Sequence, residues 1–159
     1  MKGFKTFLKT LAGNAAVLSN RTDYKGNLTL VLGNESADLD SVVSSISLAY
    51  LLGSSLPKTQ PPIPVINTNR ADISLRPDCQ ALLQSVLPPA ASLGDLTFID
   101  DIDFTQLLKI YGSRLHIWLV DHNAPASRQQ ELEPFVEGIV DHHVDENRSL
   151  DAKWRQIEM

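Results

Sequence analysis

The chain has 159 residues, 43% of them apolar, enough to bury one sizeable core and to argue for a single domain. Its formal net charge of −5 excludes non-specific nucleic-acid binding, which needs basic surface to neutralise phosphates. The lone Cys79 excludes an internal disulfide and fits a reducing compartment, and no apolar run reaches the ~18 residues that span a bilayer.

Phe4, Phe7, Leu8 and Leu11 recur at helical spacing and predict an amphipathic first helix packed on the domain. Lys9 interrupts any secretory apolar region. Met1 to Arg21 is basic and free of acids, so the expected cytoplasmic location has a mitochondrial presequence as its alternative. Leu28 to Leu32 reads as a strand ending at Gly33, followed by a helix from about Asp38 to Leu52 that Ser36 or Asp38 would cap and that Gly53 to Pro57 stops. Ile63 to Ile66 is a second strand, with Pro64 an objection to a central position. A helix over Arg76 to Leu87 stops at Pro88-Pro89, a strand covers Asp95 to Ile99, and a short helix runs from Phe104 to Tyr111 with Gly112 at its end. Leu115 to Val120, almost wholly apolar, is the fourth strand, with His116 expected in the core. Ala126 to Phe135 reads as a helix and Val136 to Val140 as a fifth strand. The alternation predicts an α/β fold: doubly wound, with a mostly parallel five-stranded sheet and helices on both faces.

Three polar clusters each follow an apolar strand: Asn34 to Asp40, Asp121-His122-Asn123 and Asp141-His142-His143. Parallel topology returns the carboxyl ends of strands to one edge, where ligands bind. Asp38 and Asp40, two oxygen donors at a strand-to-helix turn, suit a hard divalent ion, and equally suit plain helix capping. The other two clusters are, taken singly, also compatible with solvated loops. No Gly-x-Gly-x-x-Gly, Walker loop or Gly-x-Ser-x-Gly elbow competes for the site.

Taken together the clusters resemble the DHH phosphoesterase superfamily, named for the triplet present here as Asp141-His142-His143. The Gly-Asn-Glu-Ser-Ala-Asp-Leu-Asp-Ser run from Gly33, with Asn34 where pyrophosphatases of that superfamily have histidine, is similar to the yeast-type cytosolic exopolyphosphatase branch. Asn69-Arg70 through Arg76-Pro77 and Phe98 to Ile102 also look like that branch. The resemblance implies a metal-dependent hydrolase releasing orthophosphate from the end of inorganic polyphosphate or another short phosphoanhydride. It implies Asp38, Asp40, Asp121 and His142 as ligands of two divalent ions. Asn34 would stand beside the first ion, His143 would contact phosphate, and Asp141 and His122 would orient the imidazoles. With Asn34 replacing a nitrogen ligand, Mg²⁺ is expected, with Mn²⁺ or Co²⁺ as alternatives. No nucleic acid or membrane is expected as a partner.

The family's further Asp ligand and its smaller substrate-holding domain have no counterpart after His143. Residues 1–159 are therefore expected to be one DHH domain, incomplete at its C-terminal end. The tail from Glu146 to Met159 is polar apart from Leu150, Trp154 and Ile157, which are expected to be orphaned contacts beside an exposed last strand. The alternative is a catalytically silent module binding metal, phosphate or protein, or a relative of inorganic pyrophosphatases or prune-type phosphodiesterases.

Overall fold

The computed structural model describes residues 2–11, 14, 18, 26–55, 61–89 and 91–158. Its described strands are β1 (Leu28–Leu32), β2 (Ile63–Ile66), β3 (Thr97–Phe98), β4 (Leu115–Val120), β5 (Val136–Asp141) and β6 (Trp154–Ile157). All pair in parallel in the order β3-β2-β1-β4-β5-β6. The chain moves outward one way from β1 and then the other way from β4, so the topological switch lies between those neighbours, where α/β sheets open a crevice.

Side-chain alternation sorts the apolar strands into two cores. Val31, Ile66, Phe98 and Val120 face the helices α1 (Lys2–Thr10), α2 (Leu39–Ser55) and α3 (Pro77–Val86). Leu30, Leu32, Ile117, Leu119 and Ile139 face α4 (Phe104–Tyr111) and the 3₁₀ segment Ser127–Phe135. Helices thus cover both faces, as the near-continuous apolar strands require. Phe4 and Phe7 on α1 pack against the Tyr50 ring of α2, and Leu8 is buried, so the first helix is docked on the domain. Arg21, Leu56, Pro57 and Met159 lie outside the described residues, so the presequence pattern and the stop after Ser55 are described only in part.

The sheet has six strands where five were expected. Trp154–Ile157 joins β5 with Ile139 opposite Arg155 and Asp141 opposite Ile157. The tail is thus not a set of orphaned contacts. Ile157 packs on the second core and the strand covers β5, although Trp154 and Leu150 stay exposed. A short, half-polar strand carries little hydrophobic signal. It is held instead by its loop, where Arg155 pairs with Asp145 at 2.8 Å and Arg148 pairs with Glu133.

The Ala126–Phe135 helix is a 3₁₀ segment with a non-helical Gln129 and an internal Pro134, which removes a backbone donor. His116 is not a core residue. Its Nδ1 lies 3.0 Å from Glu137 Oε2 across β4 and β5, partly exposed. Pro64 is tolerated within β2 because Gly33 N–H donates to the Val65 carbonyl, which turns Val65 toward β1 and Pro64 toward β3. Pairing on that side begins only at Val65 with Thr97, so Pro64's missing N–H interrupts no ladder.

Candidate metal centre

The site grows from the carboxyl ends of β1, β4 and β5. Gly33 lets α2 approach β1, since a Cβ there would lie 2.5 Å from Ser41 Oγ. That hydroxyl accepts the Asn34 N–H at 2.7 Å and is therefore committed to closing the turn. The Asn34 side chain closes the same loop from inside: its Oδ1 accepts from the Ser36 hydroxyl at 2.7 Å and the Ala37 N–H at 3.1 Å. Ser36 thus serves the loop instead of capping α2. Ala37 holds φ at 46° and Asp121 at 62°, left-handed conformations that cost a non-glycine residue on the order of 1–3 kcal/mol.

Across the switch point, Asn34 Nδ2 donates to Asp121 Oδ2 at 2.6 Å and to its carbonyl at 3.2 Å. Asn34 thus joins its own loop, through an oxygen that accepts twice, to Asp121 across the switch point. Asp121 Oδ1 lies 2.9 Å from His142 Nε2, which is 3.8 Å from Asp40 Oδ2. Donor atoms of Asp38, Asp40 and Asp121 converge within 4.8 Å of one another, and so do those of Asp121, His142 and His143. Asp121 belongs to both groups.

Burial, then the charge of Asp40, pushes the Asp121 carboxyl above its ordinary value, with Asp38 adding to the rise against the pull of His142 and His143. Three carboxylates sharing so small a volume repel unless a cation lies among them. The mixed oxygen and imidazole donors fit a divalent metal ion.

Around this set, Asp141 Oδ1 accepts from His143 Nδ1 at 2.7 Å, and its Oδ2 accepts from Asn123 Nδ2 at 2.5 Å. Burial would raise the Asp141 carboxyl, but the bonds from His143, Asn123 and two backbone N–H groups outweigh it and hold it below its ordinary value. The Asp141 hydrogen bond in turn lifts His143, whose side chain is half exposed, above the usual imidazole range. His122 lines an adjoining hollow together with His143, and its Nδ1 contacts the Val120 carbonyl at 2.9 Å. Burial lowers its pKa.

Asn123 belongs to the second cluster but had no role assigned from sequence, and Asn67, Gln156 and Glu158 were not singled out at all. Asn123, fully buried, accepts Glu146 N–H on Oδ1 and gives Nδ2 to the Val144 carbonyl as well as Asp141. Asn67 links Gly33 to Gln129: its Nδ2 reaches the Gly33 carbonyl at 2.9 Å and its Oδ1 accepts from Gln129 at 2.8 Å. Asn67 directly follows β2, so the rule that singled out the other clusters could have found it. Gln156 and Glu158, at the end of β6, line a groove of about 420 Å³ with Asp40, Asp121, Asp141 and His142. They were invisible while that strand went unread.

The geometry agrees with comparisons to known proteins. The model of the "DHH family, N-terminal domain" matches residues 29–157. A Schizosaccharomyces pombe protein named "Putative exopolyphosphatase" is 39% identical over 155 residues, 95% of this chain and 37% of that protein. Human "Exopolyphosphatase PRUNE1" is 36% identical over 115 residues, 72% of this chain and 24% of that protein, and the mouse protein is 37% identical over the same length. The chain thus spans about a quarter to two fifths of the relatives it matches. With three motifs converging on one edge and the family model covering most of its length, the chain belongs to the DHH family, as an N-terminal domain.

Proposed function

We propose that residues 1–159 form one DHH domain that hydrolyses phosphoanhydride bonds with divalent metal, releasing orthophosphate from the end of inorganic polyphosphate. The observation that carries this reading is the convergence of Asp38, Asp40 and Asp121 with His142 and His143 at the switch point of the sheet. The names of the relatives support polyphosphate as the substrate. Asp38, Asp40, Asp121 and His142 would hold the ions, with Asp121 shared between them. Bound there, divalent ions supply Lewis acidity that activates water and neutralises phosphate charge, with Mg²⁺ the favoured ion and Mn²⁺ or Co²⁺ alternatives.

The rest of the task is positioning. Asn34 fixes the rotamer of Asp121 through paired contacts to its carboxylate and carbonyl. Asp141 holds Nδ1 of His143, leaving Nε2 to donate a proton toward a phosphate oxygen, and the raised pKa of His143 suits that donor role. Phosphoryl transfer asks for alignment and charge neutralisation more than for a covalent nucleophile. Accordingly, the Ser41 hydroxyl beside the site is already used by Asn34.

The test is orthophosphate release from long-chain polyphosphate with Mg²⁺, comparing the chain with Asp121→Asn and His142→Ala. Release lost in both variants supports the reading. Release that persists in Asp121→Asn contradicts it.

A further inference from the structure

Past its first phosphate, a polyphosphate faces a problem at this site. The groove beside the metal ligands is walled by Asp40, Asp121, Asp141 and Glu158, none of which favours a polyanion. Cations flank the Asn34–Asp38 loop instead, on its β2 side. Arg76 gives two N–H groups, Nε and Nη2, to the Ser36 carbonyl at 2.9 and 2.5 Å, a fork that pins the backbone. Arg128 is held differently. Its Nε contacts Glu35 Oε1 at 2.9 Å, and both side chains are 49% exposed. Its Nη2 makes only long contacts to Asn67, at 3.3 Å to the carbonyl and 3.5 Å to Oδ1. Nη1 has no hydrogen-bond partner among the described residues.

We propose that Arg128 is a phosphate-binding residue of this chain, held ready by Glu35 and transferred to an internal phosphate of the substrate when it enters. The inference rests on the function proposed above and adds a specificity residue to it. Glu35 directly follows Asn34, which touches Asp121, so the ion pair sits on the same loop that holds a metal-site carboxylate. An exposed carboxylate–guanidinium pair is weak and salt-screened. A phosphate group offers the same planar fork a stronger, charge-assisted bidentate contact. The buried Asn67–Gln129 pair fixes the adjoining residue, so Arg128 is anchored at its base while its head is free to exchange.

The roles of the two partners predict effects of opposite sign. Glu35 competes with substrate for Arg128, and Arg128 binds the substrate. The test is Mg²⁺-dependent binding of long-chain polyphosphate by Arg128→Ala, Arg128→Lys and Glu35→Gln, with Mg²⁺ binding measured separately by calorimetry. Arg128→Ala should weaken polyphosphate binding about tenfold or more, the value of a hydrogen-bonded charge. Arg128→Lys should lose less, keeping the charge without the fork. Glu35→Gln should bind polyphosphate at least as tightly as the parent chain. Mg²⁺ binding without polyphosphate should be unchanged in all three. A purely structural ion pair makes Arg128→Ala and Glu35→Gln weaken binding alike, and that result overturns the proposal. Equal polyphosphate affinity in Arg128→Ala and the parent also overturns it while leaving the proposed function standing. A parent chain that binds Mg²⁺ but no polyphosphate overturns both.

Discussion

Asn123 makes a demanding test of the scaffold behind the motifs. It is 1% exposed and its amide serves three partners: the Asp141 carboxylate at 2.5 Å, the Val144 carbonyl at 3.0 Å and the Glu146 N–H at 2.8 Å. Asn123→Ala removes three hydrogen bonds, each worth ~1 kcal/mol net, and leaves a buried carboxylate short of a donor at a further ~1 kcal/mol. The expected loss is therefore about 3–4 kcal/mol, a large share of the ~5–15 kcal/mol that holds a domain together. In a domain of this size it should lower Tm by about 10 °C.

Urea unfolding followed by circular dichroism measures this loss directly. Asn123→Asp keeps the acceptor for Glu146 but sets a second carboxylate against Asp141, so at neutral pH it should cost at least as much as Asn123→Ala and recover part of the loss on acidification. The sign for Asp141 itself follows from its depressed pKa. Its ionised form is favoured by folding, so that stability is present above the unfolded value of about 3.9 and is lost as pH falls through the folded value. Asn123→Ala removes one of the donors responsible, so its acid destabilisation should be shallower than in the parent. A loss below 1 kcal/mol with an unchanged acid limb would refute the reasoning.

Other outcomes follow from single features. Ser149 holds φ at 48° and buries a hydroxyl with no partner among the described residues, so Ser149→Gly should stabilise the chain by about 1 kcal/mol, read as a rise in Tm. Glu133 has its pKa lowered first by the Arg148 hydrogen bond, so the clamp on the loop before β6 is present above the ordinary glutamate range and lost as pH falls through the lowered value. Hydrogen-exchange protection across residues 147–153, corrected for the intrinsic pH dependence of amide exchange, should therefore fall on acidification in the parent, and Glu133→Gln should show low protection at both pH values. Gly138→Ala drives a methyl into the Trp118 ring where β4 and β5 pair, and should cost about 1–3 kcal/mol in the same denaturant assay.

The motifs were legible because their strands are. Leu28–Leu32 and Leu115–Val120 carry hydrophobic signal on both faces, and the polar residues after them stand out against it. Parallel topology then brings Asp38, Asp40, Asp121 and His142 together, and the structure places them so. What stayed hidden depends on contacts between distant segments. Trp154–Ile157 is a strand because β5 offers a free edge and an ordered loop delivers it, neither of which a half-polar tetrapeptide announces. The direction of an amide is set by its neighbours, so the sequence could place Asn34 beside the site but not show that Asp121 and Ala37 use its two ends. His116 looked like a core residue in an apolar run, but a strand alternates, and its partner Glu137 lies on the next one. Ser127–Phe135 has the length of a helix, yet Pro134 and Gln129 break the ladder.

The most direct test of the account is calorimetric titration of Mg²⁺ into chelator-stripped protein, parent chain beside Asp121→Asn. Removing the carboxylate shared by both donor groups should abolish Mg²⁺ binding. The variant should be no less stable without metal, because the repulsion among Asp38, Asp40 and Asp121 is relieved. The parent alone should gain Tm with Mg²⁺, by about 2.7 kcal/mol of stability at a hundredfold excess over Kd. Equal Mg²⁺ binding by parent and variant, or none by the parent, would contradict the assignment of this edge as a metal centre.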